Sequence, residues 1–167
     1  SPIMTLRGTF AECVILETVI LSILNSDSAV ASAASRMVSA ADGRPIIEMG
    51  SRRTHEQSAV TAARAAYIAG FEATSNMEAS LRYGIPPSGT AAHSWTLLHV
   101  DEDGTPDEKA AFKAQIDQLG VDTTLLVDTF DITKGVANAI EVAGTELGAV
   151  RIDSSDLGIV SRRAPCP

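Results

Sequence analysis

The sequence predicts an α/β fold in which parallel strands alternate with helices. Short apolar or β-branched segments, such as Pro45 to Met49 and Thr123 to Asp128, have the length of buried strands. Longer segments with apolar residues three and four positions apart follow them and are typical of helices. Strands that are apolar on both sides need helices on both faces of the sheet, which indicates either an open doubly wound sheet or a sector of an α/β barrel. The composition does not distinguish the two.

The N-terminal half is predicted to begin with two helices that precede the first strand. Apolar periodicity runs from Phe10 to Leu24 and stops at Asn25, and a second, alanine-rich helix runs from Asp27 or Ser28 to about Ala40. The strand from Pro45 to Met49 and a helix from Thr54 to Gly70 then complete one strand–helix unit.

The rest of the chain repeats this alternation in short units. The predicted segments are, in order, a stretch at Phe71 to Thr74, a helix from Asn76 to Tyr83, a stretch at Pro87 to Thr90, a helix from Ala92 to about His99, a helix from Pro106 to Leu119, the strand Thr123 to Asp128, a helix from about Lys134 to Leu147 and the strand Ala149 to Asp153. We expect one domain over residues 1–160. An irregular tail follows over 161–167, with two prolines and no apolar periodicity.

The composition indicates a packed, cytoplasmic protein that binds neither nucleic acid nor membrane. With 21 acidic and 13 basic residues the net charge is −8, so no broad basic surface is available to nucleic acid. The longest apolar run, Cys13 to Leu24, is interrupted by polar residues and is shorter than a membrane span. The two cysteines lie at opposite ends of the chain and predict neither a disulfide framework nor a zinc site.

Polar and charged residues cluster just after the predicted strands. In α/β folds functional groups lie at these strand ends, so the clusters favour a binding or catalytic site over a solvated rim. The clusters are Gly50-Ser51-Arg52-Arg53-Thr54-His55, Ala73-Thr74-Ser75-Asn76, Gly89-Thr90-Ala91-Ala92-His93-Ser94, Asp128-Thr129-Phe130-Asp131 and Arg151-Ile152-Asp153-Ser154-Ser155-Asp156.

The residue types in these clusters suit an anionic substrate. Arg52 and Arg53 follow a glycine, and guanidinium groups grip carboxylates and phosphates with paired hydrogen bonds; the alternative is an exposed pair in weak surface salt bridges. His93 opens a helix, where it could act on a phosphoryl group; the alternative is a capping or packing histidine. Asp128 and Asp153 each end an apolar strand, so they are expected to face the mouth of the fold. The sequence contains no glycine-rich loop of the Walker or dinucleotide-binding type.

Five ordered stretches of the sequence resemble nicotinate phosphoribosyltransferases, and the resemblance runs from about Glu17 to Leu157. The stretches are Glu17-Thr18-Val19-Ile20-Leu21-Ser22-Ile23-Leu24-Asn25, Gly50-Ser51-Arg52-Arg53, Gly89-Thr90-Ala91-Ala92-His93-Ser94, Leu126-Val127-Asp128-Thr129 and Val150-Arg151-Ile152-Asp153-Ser154. The resemblance implies an irregular α/β barrel of the type II phosphoribosyltransferase kind, of which this chain is expected to be an internal sector.

The resemblance also implies a reaction. Nicotinate attacks the anomeric carbon of phosphoribosyl pyrophosphate, pyrophosphate leaves, and ATP hydrolysis drives the equilibrium in NAD biosynthesis. Magnesium accompanies ATP and phosphoribosyl pyrophosphate as part of the substrates, and no tightly bound cofactor is expected. Family members are homodimers, which makes a second copy the expected partner.

Roles for individual residues follow from the same resemblance. His93 matches the histidine that ATP transiently phosphorylates, and Asp128 is expected to orient that histidine or the metal. Arg52 and Arg53 match arginines that hold the pyridine substrate and phosphates. The further substrate-binding residues implied are Arg151 and Ser154, with the catalytic Asp153 beside them at the phosphate and ribose. A neutral Ser75, where nicotinamide-using relatives carry an acid, fits a carboxylate substrate.

One residue departs from the family pattern. Ser155 replaces a glycine in the family's Asp-Ser-Gly-Asp-Leu motif, so we expect an unfavourable backbone angle or blocked access at that turn.

Two alternatives to an active phosphoribosyltransferase segment stay open at this point. The first is a non-catalytic remnant or subunit that binds nucleotide phosphates or a full-length partner. The second is an unrelated phosphate-binding barrel such as an aldolase-like enzyme; the absence of a strand-end lysine argues against a Schiff-base version of it.

Overall fold

The computed structural model describes residues 2–160, with the side chain of Val160 left out. The chain divides into two compact units, Ser1–Gly89 and Thr90–Pro167. The predicted irregular tail at 161–167 lies outside the described residues.

The first unit is built from three helices and two very short strands. Its elements are α1 (Phe10–Ala41), β1 (Ile47–Glu48), a 3-10 turn (Ser51–Arg53), α2 (Glu56–Ile68), β2 (Ala73–Thr74) and α3 (Met77–Tyr83). The two strands are parallel, with Ile47 opposite Ala73 and Glu48 opposite Thr74. Small residues of α2 and α3 form a core with Val60 and Ile85, so the helices lie close to each other.

Helix α1 corrects the prediction of two N-terminal helices. It is continuous over 32 residues and begins at a capping box in which the Thr9 hydroxyl accepts from the Glu12 backbone N–H and the Glu12 carboxylate accepts from Thr9. Asn25 and Asp27 do not break it, because such residues lower helix propensity by less than about 1 kcal/mol and no glycine or proline accompanies them. Asp27 instead forms an ion pair with Arg64 on α2.

Helix α1 is also long and apolar enough, by length and composition alone, to cross a membrane. This differs from the expectation drawn from the interrupted run at Cys13 to Leu24, because the longer helix extends the apolar window. The observation is weak evidence, since core helices of soluble proteins pass the same test. Among its large apolar side chains, Phe10 and Ile15 are 84% and 75% exposed, and Val19 is also exposed.

The second unit contains the remaining helices and a second parallel pair of strands. Its elements are α4 (His93–Leu98), α5 (Glu108–Leu119), β3 (Thr124–Leu126), α6 (Ile132–Ala143), a 3-10 turn (Gly144–Glu146), β4 (Ala149–Arg151) and α7 (Leu157–Val160). The strands pair with Thr124 opposite Ala149 and Leu126 opposite Arg151. The core consists of Phe112, Leu125, Val127, Val136 and Ala139.

A glycine lets α6 lie directly against the end of β3. A Cβ atom added at Gly135 would be 2.1 Å from the carbonyl oxygen of Val127, far inside a normal contact. This close approach fixes the backbone that leads from β3 to Asp128.

The α/β class and the parallel pairing predicted from the sequence are confirmed, but the single sheet is not found in the described part of the chain. The strands form two separate pairs of two or three residues each. Strand β4 is more exposed than a strand covered on both faces, since Ala149 and Val150 are both exposed. The predicted stretch at Pro87 to Thr90 contributes one isolated bridge from Pro87 to Thr74 rather than a strand.

Candidate functional site

The predicted site residues fall into two groups, one in each unit. In the second unit, His93 is the first residue of α4, and Asp128 and Asp153 each lie two residues beyond the end of their strand. Parallel strands bring their C-terminal ends to the same edge, and the pairing of β3 with β4 therefore places these carboxylates together.

The His93 ring has an oxygen partner at each nitrogen. Its Nε2 lies 3.7 Å from Asp153 Oδ2 and 4.0 Å from Asp128 Oδ1, and its Nδ1 lies 3.1 Å from the hydroxyl oxygen of Thr129. The side chain is 39% exposed, so the ring is held by neighbours yet open to a reactant. Contacts at both nitrogens restrict the orientation of the imidazole, as second partners do for catalytic histidines.

Asp128 is the buried centre of this group. Its side chain is fully buried, and its Oδ2 accepts from the Asp153 backbone N–H at 2.7 Å and from the Ser154 hydroxyl at 2.6 Å. Its Oδ1 has no hydrogen-bond partner and faces His93. Burial, the largest influence, raises the pKa of Asp128, but the hydrogen bonds from Ser154 and Asp153 and the charge of His93 outweigh it and lower the pKa below its ordinary value.

Arg151 is held by two neighbours in the same unit. Its guanidinium is 2.9 Å from Asp153 Oδ1 and also donates to the hydroxyl of Thr90. About a quarter of each side chain in the Arg151–Asp153 pair is exposed, so the guanidinium remains accessible to an anion. The Ser154 hydroxyl, expected to bind substrate, donates to Asp128.

The turn after Ser154 has the strained backbone that the sequence predicts. Ser155 has a φ of 67°, in the left-handed region that favours glycine. The replacement of the family's glycine by serine at this position therefore places a Cβ where it is sterically unfavourable.

The first unit holds the other group. Arg52 and Arg53 lie in the 3-10 turn after β1, and Ser75 follows β2; all three side chains are exposed. The Ser75 backbone N–H donates to the Glu48 carbonyl at 2.8 Å, which joins the two strand ends.

Sequence reasoning did not single out Glu48, and it named Thr74, Thr90 and Thr129 only as members of the strand-end clusters, with no role of their own. All four contact predicted site loops or residues. Glu48 had a usable signal, because an acid inside an apolar strand is costly unless its oxygens are paired. The same argument had been applied to Asp128. The threonines carry no such signal, since a hydroxyl is common on strands and loops.

Comparison with known proteins relates the chain to one enzyme family. It is 64% identical over 166 residues to nicotinate phosphoribosyltransferase pncB1 of Mycobacterium tuberculosis, covering 98% of this chain and 37% of that protein. It is 38% identical over 171 residues to nicotinate phosphoribosyltransferase of Bacillus subtilis, covering 98% of this chain and 33% of that one. This chain is a homologue of the nicotinate phosphoribosyltransferases.

Solved structures agree with the sequence relationship, whereas no family model matches the chain. The crystal structure of human nicotinic acid phosphoribosyltransferase superposes with a TM-score of 0.69 at 26% identity, over 89% of this chain and 39% of that one. That of nicotinate-nucleotide pyrophosphorylase from Pyrococcus furiosus gives a TM-score of 0.67 at 30% identity, over 84% of this chain and 34% of that one. The chain thus spans only 33–39% of the length of these four proteins.

Proposed function

We propose that this chain carries part of the active site of a nicotinate phosphoribosyltransferase, acting in the cytoplasm in NAD biosynthesis. The reaction joins nicotinate to phosphoribosyl pyrophosphate, coupled to ATP hydrolysis, and releases nicotinate mononucleotide and pyrophosphate. The observation that supports this most strongly is the group formed by His93, Asp128, Arg151 and Asp153 in a homologue of these enzymes.

The geometry of this group suits transfer of a ribosyl group. The pyridine nitrogen of nicotinate forms a bond to the anomeric carbon as the bond from that carbon to pyrophosphate breaks, and positive charge develops on the ribose. Asp153, whose side chain is partly exposed, would stabilise that charge, while Arg151 would hold the departing phosphates.

His93 would accept the γ-phosphoryl group of ATP. A neutral ring nitrogen attacks the phosphorus, the bond to the bridging oxygen breaks, and ADP leaves. Asp128 and Thr129 would orient the ring from opposite nitrogens. Magnesium would arrive with the phosphates of the substrates, because that cation is commonly bound through substrate phosphates.

The first unit would supply recognition of nicotinate and, through the same arginines, of substrate phosphates. Arg52 and Arg53 are exposed cations on a turn at a strand end, suited to a carboxylate or phosphate. Ser75 is neutral and exposed on the neighbouring loop, so it would not repel the substrate carboxylate.

We further infer that the two parallel strand pairs belong to an irregular α/β barrel of the type II phosphoribosyltransferase kind, and that the enzyme acts as a homodimer. The superposition on nicotinic acid phosphoribosyltransferase supports the barrel. Sedimentation of the full-length M. tuberculosis relative, which contains a segment 64% identical to this chain, would test the dimer.

Phosphorylation of His93 tests the proposed function directly. A full-length relative bearing this segment should label on His93 with γ-labelled ATP and lose ATP-stimulated turnover in His93→Ala, because the imidazole is the acceptor. His55→Ala is the matched control, since His55 is 70% exposed and lies outside this group. The 167-residue chain alone should label weakly or not at all. Equal labelling of wild type and His93→Ala would remove the phosphohistidine role.

The second candidate is a non-catalytic subunit that binds nucleotide phosphates or a longer partner. The apolar residues exposed along α1 favour it. Incubation of the chain with labelled nicotinate and phosphoribosyl pyrophosphate, with and without ATP, distinguishes the two. Product formation by the chain alone would exclude the non-catalytic interpretation.

A further inference from the structure

Glu48 is a buried carboxylate that the proposed chemistry does not use. It is the last residue of β1 and is only 9% exposed. Its Oε2 accepts from the Thr74 hydroxyl at 2.7 Å, and its Oε1 accepts from the Gly50 backbone N–H. Both oxygens are thus occupied by groups at the ends of the paired strands β1 and β2.

Further hydrogen bonds join the same two loops. The Thr74 hydroxyl oxygen accepts from the Asn76 backbone N–H at 3.0 Å, and the Asn76 side-chain amide donates to the Ser51 hydroxyl at 3.0 Å. With the contacts of Glu48 to Gly50 and Thr74, these bonds form a closed ring from one loop to the other and back. We call this set of residues, Glu48, Gly50, Ser51, Thr74 and Asn76, the loop ring.

The glycine after β1 makes this arrangement possible. A Cβ at Gly50 would be 2.8 Å from Glu48 Oε1, so a larger residue would push the carboxylate away from the backbone N–H it accepts from. The family-like Gly50-Ser51-Arg52-Arg53 turn therefore starts at a residue whose lack of a side chain admits Glu48.

Burial of a carboxylate is costly unless charge-assisted hydrogen bonds offset it. Here those bonds go to the two loops that carry the exposed Arg52, Arg53 and Ser75 rather than to the apolar core. The carboxylate is placed where it can set the position of the loops relative to each other.

We propose that Glu48 is a positioning residue for the anion-binding turn: through Gly50 and Thr74 it holds the Arg52–Arg53 turn against the Ser75 loop. The part of this inference that concerns anion binding rests on the proposed function. Glu48 itself need not touch the substrate.

Two substitutions at Thr74 give a matched test in the 167-residue chain. Thr74→Val keeps the shape but loses the hydroxyl, whereas Thr74→Ser keeps the hydroxyl; Glu48→Gln removes the charge. The readouts are hydrogen exchange of the Gly50 amide, the Kd for inorganic pyrophosphate by calorimetry, and the melting curve by circular dichroism.

We expect Thr74→Val and Glu48→Gln to speed hydrogen exchange of the Gly50 amide. Because each loses a charge-assisted hydrogen bond, each should also raise the Kd for pyrophosphate about 10-fold. Thr74→Ser should stay close to wild type in both readouts. The affinity loss should appear at temperatures where each variant remains folded, which a purely stabilising role would not produce.

The outcomes separate this inference from the proposed function. Unchanged Gly50 exchange in Glu48→Gln would overturn the inference, as would pyrophosphate affinity equal in wild type, Thr74→Val and Glu48→Gln. If wild type binds no pyrophosphate while Gly50 exchange still depends on Glu48 and Thr74, the loop ring is supported and the anion site of the proposed function is refuted.

Discussion

Replacement of Asp128 by Asn and by Ala tests the buried centre of the candidate site. Both hydrogen bonds to Asp128 end on the same oxygen, Oδ2, from the Asp153 N–H and the Ser154 hydroxyl. Asn can keep both through its amide oxygen and loses only the charge. Ala leaves both donors without their acceptor.

The magnitudes follow from these two bonds. Charge-assisted bonds contribute about 1 kcal/mol more than neutral ones, so Asp128→Asn should lower the free energy of unfolding by about 2 kcal/mol at pH 7. Unpaired donors cost about 1–3 kcal/mol each, so Asp128→Ala should lower it by about 4 kcal/mol. Asp103→Asn in the exposed acidic turn is the control and should change little.

The pH dependence of Asp128→Asn has a defined sign. The folded state lowers the pKa of Asp128, so its stabilising contribution is present above the unfolded-state pKa and is lost as the pH falls through the folded-state pKa. The difference in the free energy of unfolding between wild type and Asp128→Asn should therefore persist at neutral pH and shrink below about pH 4. Urea unfolding followed by circular dichroism measures it. A difference that stays constant down to pH 3, or equal losses in the Asn and Ala variants, would refute the reasoning.

Three further predictions concern the second unit. Gly135→Ala should lower the free energy of unfolding by about 3 kcal/mol, since the new Cβ meets the Val127 carbonyl; urea midpoints near wild type would contradict that contact. Ser155→Gly should raise the free energy of unfolding by about 0.5–1 kcal/mol, because glycine relieves the unfavourable positive φ at that turn. A lower melting temperature would argue against strain there. Arg151→Ala should weaken pyrophosphate binding by about 2 kcal/mol or more, and unchanged affinity by calorimetry would remove Arg151 from the anion site.

The sequence predicted the strand-end positions of the candidate site because apolar segments mark the strands and polar residues follow them. The hydrogen bond between the Asp153 N–H and Asp128 shows these ends meeting as the parallel pairing predicts. The helix predicted from Asn76 to Tyr83 is present as α3, with Asn76 as its N-cap, and a helix begins at His93 as expected. These features depend on local residue types, which a single sequence displays directly.

Other features depend on contacts between distant segments, and the sequence could not display them. Asp27 on α1 pairs with Arg64, which lies 37 positions away. The loop ring likewise pairs residues about 25 positions apart through hydroxyl and amide groups that occur on most surfaces. From the sequence alone, Glu48 in an apolar strand could be predicted to need a hydrogen-bond partner, because burying an unpaired carboxylate is costly. The partner itself could not be identified.

The apolar surface of α1 affects how the chain has to be handled in solution. A groove of about 810 Å³ lies between the segment before α1 and the helix as far as Ser32, lined by residues that include Phe10, Val14 and Leu21. Environment-sensitive dyes bind exposed apolar surface, including such surface on a folded protein. Dye-based thermal shift assays would therefore start from high fluorescence and mask unfolding, and detergents or apolar additives would compete for the same groove.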